Sequence, residues 1–300
     1  MSVLLNNISK IYENEKALDQ ISFKAEKGEI IGLLGPNGAG KTTTMKILTC
    51  FISQNEGEAS VCGFDVSKNP IQVRKSIGYL PEHNPLYKEM YVREYLQFIA
   101  RIFKIKNSSQ RIEELIEATG LTTEAHKKIE FLSKGYRQRV GIAQAMMNDP
   151  EVLILDEPTS GLDPNQLVDI RALIKKIGEE KLVIFSSHIM QEVQALCNRV
   201  IILNKGQIVA DDPIELLANR LGGVRKLIVE FKNKMAKEKL LKLSGVSSVE
   251  LNEGKYEIFY KEENDLREDI FDLAVAESNK LLHVSGEDAT VESIFQHITN

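Results

Sequence analysis

Ile30-Ile31-Gly32-Leu33-Leu34-Gly35-Pro36-Asn37-Gly38-Ala39-Gly40-Lys41-Thr42 is the stretch on which the reading of this chain turns. A short apolar run bounded by turn residues reads as a buried strand. The octet Gly35 to Thr42 fits the pattern G-x-x-x-x-G-K-[ST], in the context that gives the pattern its meaning: after a strand and at the opening of a helix. Glycines let the backbone bend close to an anion without Cβ clashes. Successive N–H groups then form a nest for phosphate oxygens, and the helix start adds its positive dipole end. Gly35, Pro36, Asn37, Gly38, Ala39 and Gly40 are therefore the candidate cradle. Lys41 can bridge the β- and γ-phosphates, the Thr42 hydroxyl can ligate Mg²⁺, and Thr43 can add a hydrogen bond. ATP and Mg²⁺ are the expected ligands.

Further apolar runs at Val152 to Leu155, Leu182 to Phe185 and Val200 to Leu203 alternate with helical patterns such as Pro164 to Gly178. Brief runs rich in branched residues suit buried parallel strands, which predicts an α/β fold with a largely parallel sheet. The first two of these runs lead into candidate active groups. Val152 to Leu155 delivers Asp156 and Glu157 to the carboxyl edge of the sheet, where ligands bind in open α/β folds. Asp156 can hold Mg²⁺, and Glu157, expected to point the other way along the strand, can take a proton from an attacking water. Leu182 to Phe185 ends in Ser186-Ser187-His188, which predicts that His188 reaches the same edge. Adjacent acids at a strand end are more often plain solvated surface. Pairing with the phosphate loop reverses that preference.

The remaining sequence bounds the class. The chain has 300 residues, 43% apolar and 27% charged, enough for a core and a solvated surface. A net charge of −5 argues against a nucleic-acid binder. Cys50, Cys62 and Cys197 are few and widely spaced, so reduced thiols are expected rather than a disulfide or zinc framework. The N-terminus shows no signal-peptide pattern, and no apolar run approaches the ~18 residues that cross a bilayer. Residues from about 85 to 148 read as a helical insertion, with helices at Glu89 to Phe103 and Ser109 to Thr119. From Lys226 the pattern runs strand, helix, strand, turn at Asn252-Glu253-Gly254, strand, helix, strand: the βαββαβ order of a ferredoxin-like domain. A closing helix is expected at Val291 to Ile298 and a linker near Arg220 to Val224, giving domains of 1–221 and 222–300.

Leu132-Ser133-Lys134-Gly135-Tyr136 resembles the ABC signature, usually L-S-G-G-Q. With Asp156-Glu157, Ser160-Gly161-Leu162-Asp163 and His188 in the expected order, residues 2 to 220 or so resemble an ABC ATPase. The resemblance implies a two-fold homodimer, with Ser133 and the Gly135 amide of one copy acting on ATP held by the other. It implies that Ser160 to Asp163 cross the interface, that Tyr12 stacks on adenine, and that a separate integral-membrane permease is the partner. It places the chain in the cytoplasm, at the inner face of the membrane. Lys134 and Tyr136 depart from the usual signature, while the hydroxyl and the Gly135 amide are kept. Gly78-Tyr79-Leu80-Pro81-Glu82 matches the family's Q-loop, with Glu82 where glutamine is usual, still able to reach Mg²⁺. Details at Leu132 to Val140, Tyr79 to Glu82 and Gly161 to Gln166 are similar to the gliding-motility-associated ATP-binding subunits of Bacteroidetes. The stretch Thr290 to Phe295 resembles the close of ABC-2-type exporter ATPases. A soluble ABC-type ATPase regulating a non-transport process is the alternative; translation factors of that kind carry two phosphate loops, and this chain has one. DNA-repair ATPases of the superfamily need long heptad runs, which this sequence lacks. A regulatory module that only binds ATP would not need Glu157 and His188.

Overall fold

The computed structural model describes residues 2–13, 15–214, 216, 224–252, 254–261 and 265–288. The chain divides into two compact units, Met1–Pro213 and Ile214–Asn300. The expected closing helix, residues 220–223 of the expected linker, and Glu253 of the expected turn lie outside the described residues.

In the first unit a six-stranded sheet has the order β10-β9-β3-β8-β7-β6. Its strands are β3 (Ile30–Leu34), β6 (Ile77–Leu80), β7 (Val152–Leu155), β8 (Leu182–Ser187), β9 (Arg199–Asn204) and β10 (Gln207–Pro213). Every pair is parallel except β9 with β10. The apolar runs become strands because both faces are covered: every residue of β3, β7 and β8 is buried. Parallel strands of this kind read as continuous apolar runs rather than alternations. Their carboxyl ends face one edge, so the residues following β3, β7 and β8 converge there.

A second, antiparallel sheet of order β2-β1-β4-β5 comes from β1 (Val3–Tyr12), β2 (Glu15–Ala25), β4 (Glu56–Val61) and β5 (Phe64–Asp65). The sequence pattern does not announce it. β1 and β2 are bulged: their register shifts between Leu5 and Ile8, and Asn7 and Gln20 take φ of 50° and 52°. Bulges break the two-residue alternation by which a half-buried strand is recognised. Side chains satisfy the interrupted ladder, since the Ser22 hydroxyl accepts from Asn7 N (2.8 Å) and the Ser9 hydroxyl from Gln20 N (3.2 Å). One apolar core joins the two sheets through α1 (Lys41–Leu48), whose Met45, Ile47 and Leu48 are fully buried between Leu5, Phe23, Ile154 and Ile201.

The expected helical insertion comprises α3 (Val92–Ile102), α4 (Ser108–Ala118) and α5 (Lys134–Ala145), after a short α2 (Pro70–Ser76). In α3, Val92, Tyr95, Leu96, Ile99 and Ala100 form one buried stripe at helical spacing. α5 approaches β6 closely because Gly78 lacks a side chain: a Cβ there would lie 2.3 Å from the Ala145 carbonyl oxygen. This also corrects the reading of Gly78 to Leu80 as loop; they are strand, and only Pro81 and Glu82 continue beyond it. α6 (Pro164–Gly178) and α7 (Met190–Leu196) complete this unit.

The second unit has its own core. Its sheet, of order β12-β13-β11-β14, is antiparallel throughout and uses β11 (Val224–Phe231), β12 (Val246–Asn252), β13 (Lys255–Lys261) and β14 (Leu281–Asp288). Helix α8 (Lys237–Leu240) follows β11, and α9 (Leu266–Ala276) follows β13. Leu227, Val229, Ile258, Leu266 and Ile270 are buried together. No helix among the described residues is long and apolar enough to cross a membrane.

Candidate nucleotide-binding site

The turn between β3 and α1 is held open by its glycines. Gly38 and Gly40 have φ of 80° and 109°, the left-handed region. A Cβ on Gly40 would meet Leu18 Cδ2 at 2.6 Å and the Ala17 carbonyl oxygen at 2.8 Å; one on Gly35 would meet the Leu203 carbonyl oxygen at 2.4 Å. The backbone is thus pinned against β2 and β9 on its outer side, with the concave side left free. Lys41 is buried, and its Nζ donates to the carbonyls of Gly35 (2.6 Å) and Pro36 (3.1 Å). Burial lowers its basicity, while Glu157, Asp156 and Glu82 pull it back up, so three carboxylates lie within electrostatic reach of one ammonium.

The carboxyl ends of β7 and β8 supply the facing wall. Asp156 is almost fully buried; its Oδ1 accepts from Ser186 Oγ (2.6 Å) and from Thr42 Oγ1 (3.4 Å). Ser186 Oγ also accepts from Glu157 N (2.9 Å), so one hydroxyl fixes both acids. Glu157 does not follow the expected strand alternation. β7 ends at Leu155, and Glu157 takes φ of 50°, a strained conformation for a non-glycine residue. Its Oε2 lies 3.0 Å from His188 Nδ1. Burial pushes the Glu157 carboxyl up, His188 and Lys41 hold it down, and Asp156 adds a smaller upward push.

Lys41, Thr42, Glu157 and His188 line a cleft of about 510 Å³, together with Tyr12, Glu15, Lys16, Ala17, Asn37, Gly38, Ala39, Gly40, Thr43, Glu82 and Ser160. Asp156 and Ser186 are not on its wall but bond to Thr42 and Glu157, which are. Tyr12 is 44% exposed, with Lys10 Nζ 5.2 Å from its ring centre. Thr42, Asp156 and Glu82 offer hard oxygen ligands, the donor set that Mg²⁺ takes when phosphates and water complete its shell. The glycine turn, pinned on its outer side and free on its concave side, and this oxygen set together fit a magnesium nucleotide.

The residues at positions 132–136 do not line this cleft. Ser133 caps α5, its Oγ accepting from Tyr136 N (3.3 Å) and from Gln166 Nε2 (3.4 Å). The side chain of Gln166 lies across Gly135, where a Cβ would approach its Cδ to 2.7 Å. Lys134 Nζ reaches Gly161 from the same chain, 2.4 Å from where a Cβ would stand. Asp163 caps α6 by accepting from Gln166 N (2.9 Å), so the segments Leu132 to Tyr136 and Ser160 to Asp163 are joined through Gln166.

A family model described as ABC transporter matches residues 18–160. The linearmycin resistance ATP-binding protein LnrL of Bacillus subtilis is 33% identical across 98% of this chain and 96% of its own length. This chain belongs to the ABC transporter family. It is an ATP-binding subunit of that family, an ATPase that takes ATP with Mg²⁺. The bacitracin transport ATP-binding protein BcrA of Bacillus licheniformis is 36% identical, over 71% of this chain and 70% of its own. Among solved structures, the dimeric post-hydrolysis state of an ATP-binding cassette bound to ADP and phosphate superposes with a TM-score of 0.64. It shares 26% identity and covers 71% of this chain and 98% of its own.

Three residues that support the ABC ATPase site are not legible as such in the sequence. Thr159 and Ser187 both donate to Glu192 Oε2, the latter at 2.8 Å, and all three are buried. Ser187 reads only as part of a polar run, and Thr159 only as a neighbour of the acids. Glu192 gives no signal, because its helical position suits a solvated glutamate equally well.

Proposed function

We propose that this ABC ATPase works as a homodimer that drives a separate integral-membrane permease from the cytoplasmic face, in export. The observation that carries the reading is a division of parts. One chain gathers Lys41, Thr42, Glu82, Glu157 and His188 around a cleft, while Ser133 and Gly135 stand at a helix tip outside it. A helix start with a capping hydroxyl suits a phosphate. A two-fold pair would bring that tip to the partner's ATP and complete both sites at once.

In this reading Gly35 to Gly40 give their amides to the phosphates, and Thr43 adds a hydroxyl. Lys41 neutralises the γ-phosphate, and the Tyr12 ring stacks on adenine. Thr42, Asp156 and Glu82 hold Mg²⁺, which when bound neutralises charge on the phosphates. Glu157 accepts a proton from the attacking water, its carboxylate oriented by His188, which also faces the γ-phosphate. Leu132, Lys134 and Tyr136 frame the tip, and Ser160, Gly161, Leu162 and Asp163 cross between the two sites.

For the permease we favour an apolar groove of about 430 Å³ lined by Phe51, Arg74, Tyr79, Phe103 and Gln144. Phe51 is 75% exposed, and β6 under the groove leads directly to Glu82. A segment docked there would touch the strand that carries Glu82 to the cleft. Crosslinks from Phe51 or from residues 82–90 to a co-expressed multi-span subunit are expected, and their absence would count against the docking site.

Full-length likeness to a linearmycin resistance protein supports the export class. The narrower gliding-motility reading rests on the three stretches Leu132 to Val140, Tyr79 to Glu82 and Gly161 to Gln166, and loss of gliding on deletion tests it. The second unit we read as ferredoxin-like, from its βαββαβ order and its strand order. The deciding experiment is Glu157→Gln. ATP binding should persist, hydrolysis should fall by roughly 10²-fold or more, and ATP should shift the chain to a dimer on light scattering. Wild-type turnover in that variant would show that Glu157 is not the proton acceptor.

A further inference from the structure

The sheet does not by itself seat His188 on Glu157. Its register holds Leu155 opposite Phe185, but Glu157 lies two residues past β7 and His188 one residue past β8. Beyond the strand ends, the two segments are tied by side chains. Ser186 Oγ is one tie, through Asp156 and the Glu157 amide. Glu192 is the other. Its Oε2 accepts from Thr159 Oγ1, on the residue before Ser160, and from Ser187 Oγ, on the residue before His188. Ser187 Oγ in turn accepts from Ile189 N at 3.0 Å, which fixes the chain on both sides of His188.

Glu192, Thr159 and Ser187 are 3%, 2% and 0% exposed, and among the described residues Glu192 forms no ion pair. Burying a polar side chain costs free energy that its hydrogen bonds must offset, and both bonds here come from hydroxyls of the two segments. An apolar side chain would fill the same space without that cost. The position of both donors, each next to a residue facing the cleft, gives the carboxylate its use. We propose that Glu192 is a positioning residue: it braces the segment carrying Ser160 against the segment carrying His188, and so keeps His188 seated on Glu157. This rests on the reading of Glu157 and His188 as the hydrolytic pair.

The full chain tests it, by steady-state hydrolysis together with binding of a fluorescent ATP analogue. Glu192→Ala should lower kcat at least tenfold, with KM for ATP and the number of analogue sites per chain changed less than threefold. Glu192→Gln keeps an amide oxygen that can accept both hydroxyls, and should bring kcat back to within threefold of wild type. Thr159→Val and Ser187→Ala, which leave the core filled, should each lower kcat alone and add nothing in a Glu192→Ala background. Unchanged kcat in Glu192→Ala overturns the proposal. So does a parallel loss of analogue sites, or a Gln variant as poor as Ala. The Glu157→Gln control separates the two readings: if it hydrolyses normally, the hydrolytic pair is wrong, whereas if it is inactive while Glu192→Ala is normal, only the brace fails.

Discussion

At the scale of single residues, backbone shape and charge decide what the cleft accepts. Gly38 and Gly40 share a left-handed backbone, but a Cβ on Gly38 points into open space, while one on Gly40 runs into Leu18 and the Ala17 carbonyl. Gly38→Ala should therefore cost only the strain of about 1–2 kcal/mol. Gly40→Ala should cost more and weaken ATP binding further, because Ala17 also lines the cleft. Urea midpoints and ATP titrations of the two variants check this; equal losses would mean that the Ala17–Leu18 wall yields freely. Lys41 sets the second expectation. ATP at 100 times its Kd stabilises a folded binder by about 2.7 kcal/mol, and Lys41→Ala should lose nearly all of the corresponding rise in Tm. The thiols offer a third. Burial raises the pKa of Cys50 and Cys197 and pushes Cys62 up to about 11. Thiolate is the reactive form, so at pH 8 the native protein should react with a maleimide far more slowly than the denatured chain. Cys62, with its pKa pushed up to about 11, should be slowed by on the order of 10²-fold. A fast native phase at Cys62 would contradict the burial.

At the scale of elements, legibility followed burial. The parallel strands β3, β7, β8 and β9 could be read because both faces are covered, so each contains an unbroken run without charged or hydroxyl side chains: Ile30 to Leu34, Val152 to Leu155, Leu182 to Phe185 and Val200 to Leu203. Ser133 and Asp163 could be picked out only as parts of motifs that the family resemblance marks, and their capping of α5 and α6 appears in the structure. β1 and β2 could not be read, since bulges at Asn7 and Gln20 interrupt the alternation, and β6 could not, since it is four residues long with a glycine required by α5. The cleft itself was mostly legible: Lys41, Thr42, Asp156, Glu157 and His188 converge because they end neighbouring strands or begin the helix after one. Its supports were not, because Ser186 and Glu192 act through contacts made 30 and 33 residues along the chain, with Asp156 and Thr159. Caps give a test at this scale. Ser133→Ala and Asp265→Ala each remove a side-chain acceptor at a helix start, of α5 and of α9. Each should cost stability on the order of 1 kcal/mol. Only Ser133→Ala should also abolish hydrolysis, as the composite site requires; equal hydrolysis in the two variants would mean that Ser133 is a cap and nothing more.

At the scale of the whole molecule, the two units each enclose a core of their own, one around Leu33, Met45 and Ile184, the other around Leu227, Ile258 and Ile270. Cooperative unfolding belongs to a core, so denaturant should melt the full chain in two transitions rather than one. The cleft is built wholly from residues of the first unit. Mass action then requires ATP with Mg²⁺ to raise one transition, by about 2.7 kcal/mol at 100 times Kd, and to leave the other where it was. The assignment of the transitions can be made independently. Ile270 is fully buried in the second unit, and truncating such a residue to alanine costs ~2–5 kcal/mol. Ile270→Ala should therefore lower the transition that ATP does not move. If ATP raises both midpoints together, or if Ile270→Ala shifts the ATP-sensitive one, the two cores unfold as a single cooperative body, and the second unit contributes directly to the stability of the nucleotide site.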